Sequence, residues 1–188
     1  FGDEGGEVSS TKRFWTNSLL ASQKGEIIMN IDETIVVMCN GRSVLNVDFD
    51  RLKNVATFGL NMAYKWYYKN NWWPTYHGAF DYLNNSVFSE QYKNMSYDDS
   101  CKIQRFFYVS KISNSNKVTH VNLNQNQRGW NDSENSFNNF YHFGNTGTNA
   151  CSVAAALGYK NILLLGADNT QKENYDGVSR NSDGVYIM

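Results

Sequence analysis

The sequence predicts a single α/β domain, a Rossmann-like, mostly parallel twisted sheet with helices on both faces. Short apolar runs such as Thr34–Cys39 (TIVVMC) and Ile162–Gly166 give way at once to polar or glycine turns, as strands covered on both faces do. Segments of helical character lie between such runs, so the strands are joined by βαβ crossovers and run parallel. The stretch TGTNACSVAAALGYK reads as a polar turn, a helix of small side chains and a glycine stop, directly before the strand NILLLG. Small side chains let such a helix approach a sheet closely, and its first amides are open to an anion.

The remaining elements follow in order. Residues 1–30 form a polar leader in which Phe14, Trp15, Leu19 and Leu20 suggest a short docking helix, and 31–188 form the domain. After Thr34–Cys39, Asn46 or Asp48 caps a short helix over Asp50–Lys53. A second strand spans Val55–Leu60, and Met62–Lys69 forms a helix with a heavy aromatic face. Pro74 precedes a third strand, Thr75–Phe80, followed by a helix over Ser86–Met95. Arg105–Ile112 and Val118–Leu123 are the fourth and fifth strands. Gln125–Asn139 is Asn/Gln/Ser-rich and reads as a long loop or lid, and 169–188 is polar without a clear element.

Composition excludes several classes. A net charge of −1 offers no basic excess for nucleic acid. Cys39, Cys101 and Cys151 are far apart and form no C-x-x-C, which argues against a zinc site or disulfide framework and for a reducing, cytoplasmic setting. No apolar run approaches the roughly 20 residues of a membrane span. Phe1 in place of an initiator methionine fits a fragment or a processed form. A homo-oligomer is compatible with all of this.

Parallel sheets bind ligands at the carboxyl ends of their strands. The residues expected there are Asn40-Gly41, Asn61, Asp81 and Asp168, joined by the turn Asn145-Thr146-Gly147. After the first strand, Gly41 permits a sharp fold, and Ser43 offers a hydroxyl to a phosphate. Neither GxGxxG nor GxxxxGK[ST] is present, so an ordinary dinucleotide fingerprint and a P-loop are not supported. Asp48-Phe49-Asp50 matches a metal-holding D-x-D in form, but its place at a helix start favours capping. His77, His120 and His142 are too scattered for a metal set; His77 lies within a strand, and His142 lies just before the Asn145 turn. A leaving phosphate would have to be neutralised by Tyr175, Arg180 or Tyr186 in the last segment.

The order Asn40-Gly41-x-Ser43-x-Leu45, Asn61, Thr146-Gly147, Cys151, Ala156-Leu157-Gly158-Tyr159-Lys160 and Gly166-Ala167-Asp168 resembles the bacterial sialyltransferases of glycosyltransferase family 42. It also resembles the wider Rossmann-like group of motility accessory factors and archaeal 6-hydroxymethylpterin diphosphokinases. The similarity spans about residues 33–170. It implies that Asn40, Gly41, Ser43, Leu45, Asn61, Asn145, Thr146 and Gly147 contact a nucleotide sugar, and Asp168 by its strand-end position and Tyr175 by its place in the last segment join that set. It places Asp81 where the family has an Asn, and Arg42 where it has a Pro. The family's catalytic histidine, ahead of a Ser-Lys-Asn-Thr-Asp segment, falls at Val178 before Ser179-Arg180-Asn181-Ser182-Asp183. Family members also continue past the position of Met188.

The resemblance implies a glycosyltransferase using a nucleotide-activated sugar, CMP-sialic acid or a related nonulosonate, with a glycan or small-molecule acceptor and no metal or other cofactor. His142 and Asp81 are the acid/base candidates. The alternatives are an ATP- and magnesium-dependent diphosphokinase, in which Asp81 and Asp168 would converge on the metal, and a non-catalytic nucleotide-binding domain.

Overall fold

The computed structural model describes residues 29–124, 140–141, 144–168, 179–180 and 186–187. Its centre is a six-stranded sheet. The strands are β1 (Thr34–Met38), β2 (Ala56–Leu60), β3 (Tyr76–Ala79), β4 (Arg105–Tyr108), β5 (Val118–His120) and β8 (Asn161–Leu165). They lie in the order β5-β4-β3-β2-β1-β8, and every neighbouring pair is parallel. Two short strands, β6 (Leu123–Asn124) and β7 (Phe140–Tyr141), pair outside this sheet, as do β9 (Ser179–Arg180) and β10 (Tyr186–Ile187). From β1 the chain steps outward strand by strand to β5, then returns to lay β8 on the other side of β1. The strand order therefore reverses between β1 and β8, the kind of position at which open parallel sheets commonly bind ligands.

Alternation along β1 divides the core. Val36 and Met38 face a layer built from Tyr64 and Tyr67 of α1 (Tyr64–Asn70), Phe88 after α2 (Tyr82–Val87), and Tyr92 and Met95 of α3 (Ser89–Tyr97). Ile35 and Val37 face the opposite layer, where Ala150, Val153 and Ala154 of α4 (Thr146–Ala156) pack with Phe58 and Phe107. All five residues of β1 are buried, as befits a central parallel strand. β8 is equally apolar, yet Leu163 and Leu164 stay 38% and 53% exposed, because no strand lies beyond it among the described residues.

The structure corrects several expected boundaries. The helix expected at Ser86–Met95 is two helices, because the Asp81 carboxylate accepts the Asn84 amide at 2.8 Å and starts α2 earlier. Phe88, turned into the core at 2% exposure, then leaves helical geometry between α2 and α3. The strand expected to run to Ile112 ends at Tyr108, and Val118–Leu123 divides between β5 and β6, which belong to different sheets. The aromatic helix begins at Tyr64, after a tight turn over Asn61–Ala63. Phe49–Leu52 is a 3₁₀ turn, not an α-helix, and its cap is Asp48, whose side chain accepts the Asp50 amide. The second and third strands lose their first residues, Val55 and Thr75, and the last strand ends at Leu165 because Gly166 turns away at φ +69°. The leader with its docking helix and the loop Gln125–Asn139 lie outside the described residues, apart from Met29 and Asn30.

Gly59 marks the tightest packing between β2 and the aromatic layer. A Cβ there would lie 1.6 Å from Tyr67 Oη and 2.6 Å from its Cζ. Gly59→Ala is expected to lower stability by about 1–3 kcal/mol through overpacking. Urea unfolding should show this loss, and Tyr67→Phe in the same chain should recover part of it by removing the nearer atom.

Candidate functional site

At the strand-order reversal the backbones of β1 and β8 stay joined past the end of the sheet. The Cys39 amide donates to Leu165 O at 2.8 Å, and the Gly41 amide donates to Gly166 O at 2.9 Å. This close approach requires glycine on both sides. A Cβ on Gly41 would lie 2.5 Å from Gly166 O and 2.5 Å from the Asp168 Cγ. Gly166 adopts φ +69°, and a Cβ there would meet Val44 Cγ2 at 2.4 Å and Cys39 O at 2.6 Å.

The turn Arg42–Asn46 that follows Gly41 is pinned to the opposite loop. Ser43 N donates to Asp168 Oδ2 at 2.8 Å, and Ser43 Oγ donates to Asp168 Oδ1. These bonds, the hydroxyl's first and the amide's second, hold the Asp168 carboxyl below the usual carboxylate range. The hydroxyl assigned to a phosphate in the sequence reading thus already serves an internal carboxylate. Leu45, on the same turn, is 49% exposed.

Two amide side chains stand beside this clasp with acceptors that no described residue meets. Asn40 Oδ1, after β1, and Asn61 Oδ1, after β2, are both buried and unpartnered. Asn61 holds φ +51°, a left-handed conformation that Asn tolerates better than most side-chain-bearing residues. Parallel neighbours place these two residues at adjacent strand ends.

From the other core layer, α4 brings its first turn onto the end of β1. Asn145 caps the helix: its Oδ1 accepts the Thr148 amide at 2.8 Å and the Thr148 hydroxyl at 2.9 Å. Its carbonyl accepts the Asn149 amide at 3.2 Å. The side chain given to the ligand in the sequence reading therefore serves as the cap. The remaining amides of the first turn, those of Thr146 and Gly147, precede the helical ladder and carry the positive end of its dipole. A Cβ on Gly147 would lie 3.0 Å from Cys39 Sγ, so glycine lets the helix sit directly over β1. Burial pushes the Cys39 thiol up to about 11, with Cys151 and Asp168 adding to the effect, so it remains a neutral packing group.

Asn40, Gly41, Ser43, Thr146, Gly147 and Asp168 thus meet at one end of the sheet, with Asn61 one strand away. Asp81 lies farther along the same edge, after β3, and its carboxylate caps α2. β3 and β8 are separated by β2 and β1, which puts their ends roughly 14 Å apart at ordinary strand spacing. Asp81 and Asp168 therefore do not converge. Among the described residues no group of three or more His, Cys, Asp or Glu side chains could hold a metal ion. His142, Tyr175 and Val178 lie outside the described residues, and His77 is fully buried in the aromatic layer. The sequence reading missed Gly166 as a structural requirement, although a glycine at the strand's end, two residues before Asp168, was its signal.

No family model matches the chain, and no curated protein matches it. Among solved structures, the X-ray structure of an α-2,3/8-sialyltransferase variant, CstII, is similar at 21% identity and a TM-score of 0.45, covering 74% of this chain and 67% of that one. No helix among the described residues is long and apolar enough to cross a membrane.

The clasp makes two predictions. Gly41→Ala should force β1 and β8 apart and cost about 1–3 kcal/mol, measured by urea unfolding. In the native chain the Asp168 carboxyl should titrate below the ordinary range by NMR, so its contribution to stability is present above that range and lost as pH falls. Ser43→Ala should return this titration toward ordinary values.

Proposed function

We propose that the β1–β8 edge binds a nucleotide-activated sugar and that the protein transfers its glycosyl group to a hydroxyl acceptor, with CMP-sialic acid or a related nonulosonate as donor. The observation that carries this reading is the assembly of separate motifs. The Asn40-Gly41-x-Ser43 turn, Thr146-Gly147 and Asp168 are distant in sequence and shared with the sialyltransferase pattern, and they meet at the reversal point. Fold alone would not support a particular chemistry.

The chemistry divides between two kinds of group. The first-turn amides of α4 suit the phosphate of the donor and the charge that grows on it as the nucleotide leaves. The buried acceptors of Asn40 and Asn61 suit hydroxyl or amine donors on the ribose, base or sugar, since an unmet buried acceptor costs about 1–3 kcal/mol. Asp168, fixed by Ser43, retains lone pairs for a further donor. The acceptor hydroxyl attacks the anomeric carbon as the bond to the nucleotide phosphate breaks, and its proton passes to a base for which His142 and Asp81 are the candidates. Rate comes from positioning, base assistance and stabilised phosphate charge. The separation of Asp81 from Asp168 weighs against the diphosphokinase alternative, which needs both carboxylates on one metal.

Thermal-shift measurements with CMP, CDP, UDP, GDP and ATP, each with and without magnesium, test the assignment. Stabilisation by CMP without metal is expected. Magnesium-dependent stabilisation by ATP would transfer the assignment to the kinase reading, and indifference to every nucleotide would refute both. Ser43→Ala should weaken CMP binding about tenfold by releasing Asp168, as loss of one charge-assisted hydrogen bond does. Unchanged affinity would remove this turn from the site.

A further inference from the structure

His77 takes no part in the proposed reaction, yet it is the most unusual buried group among the described residues. It lies within β3, in register with Phe106 of β4, and its ring enters the layer between the sheet and helices α1 and α3. Its exposure is 0%, and neither Nδ1 nor Nε2 has a hydrogen-bond partner among the described residues. Aromatic rings enclose it: Tyr92 at 5.7 Å between centroids, Tyr67 at 5.9 Å, and Phe106 and Tyr108 each at 6.2 Å.

The titratable groups facing this box are phenols and a thiol. Tyr64 and Tyr67 come from α1, Tyr92 from α3 and Tyr108 from β4, with Cys101 in the same layer. The charged residues of these elements, Lys65 and Lys69, Glu90 and Lys93, and Arg105, are exposed. β2 contributes Gly59, against which the Tyr67 hydroxyl lies. Among the described residues no carboxylate or carbonyl lies within hydrogen-bond reach of the ring nitrogens to receive a second imidazole proton, and an unpaired charge in such surroundings is expensive.

We propose that His77 is an acid-sensitive lock on the helical layer beneath the candidate site. Uptake of a proton at the ring creates an imidazolium from which no described residue is placed to accept, so α1 and α3 must part from the sheet to hydrate it. The consequence reaches the edge of the site. Tyr67 rests on Gly59, two residues before Asn61, and α1 follows the Asn61 turn directly. This inference does not depend on which ligand the site takes.

Burial alone depresses the folded imidazole from 6.5 to about 3. The unfolded chain therefore binds a proton that the folded chain refuses throughout that window. Stability from the neutral ring is complete above about pH 6.5 and declines as pH falls toward 3, by up to tenfold in the folding equilibrium constant per pH unit.

The test is urea unfolding of the full chain at pH 7 and pH 5, beside His77→Phe, which fills an aromatic box without ionising. Wild type should lose about 25-fold more of its folding equilibrium constant than the variant between these values. An equal loss in both would overturn the proposal. NMR of the imidazole in the folded wild type supplies a second measurement that stands even if the variant does not fold. A His77 ring that stays neutral down to pH 5 supports the lock, whereas titration near 6.5 refutes it.

Discussion

The clasp between the ends of β1 and β8 is the constraint on which the candidate site depends. The Gly41 amide reaches the Gly166 carbonyl, and Ser43 closes on Asp168 through its amide and hydroxyl together. Backbones can approach this closely only where neither carries a Cβ, so the geometry rests on two glycines more than on any polar pair. The strand order reverses at this point, and the clasp sets how far apart the segments after β1 and β8 stand at the sheet.

The two faces of the sheet solve the packing problem differently. On one side, large aromatic rings fill a deep layer, with Tyr92 and Tyr108 stacked at 5.1 Å and His77 sealed among them. On the other, α4 presents Ala150, Val153 and Ala154, and its thin face brings the helix onto β1. Gly147 continues that thinness to the helix end, over Cys39. The positive end of the helix dipole is thereby delivered to the strand-order reversal, where it can act on a ligand.

Donors and acceptors are separated across the resulting edge. The first amides of α4, those of Thr146 and Gly147, come from the helix, whereas Asn40 and Asn61 hold buried acceptors at the strand ends. Such a division suits a ligand with an anionic part and a hydroxyl-bearing part, which is the chemical form of the proposed nucleotide sugar. Ser43 meets part of the hydrogen-bonding demand of Asp168, which fixes the shape of the edge while the carboxylate stays ionised.

What the sequence determined by itself was local and periodic. The apolar runs, the small-residue helix with its Asn145 turn, and the polar residues after each strand were all legible, because each depends on neighbours a few positions away. Boundaries set by distant contacts were not. Phe88 breaks a helix because the core receives its ring, and Val118–Leu123 divides because its last residues pair with a different strand. Candidate site residues could be named from their strand-end positions, but their partners could not. Ser43 and Asp168 are 125 residues apart, and only the return of β8 to the side of β1 makes the carboxylate, and not solvent, the acceptor of that hydroxyl. The same holds for His77, an ordinary histidine in sequence. Enclosure by rings from α1, α3 and β4 turned it into a buried group whose protonation the fold opposes.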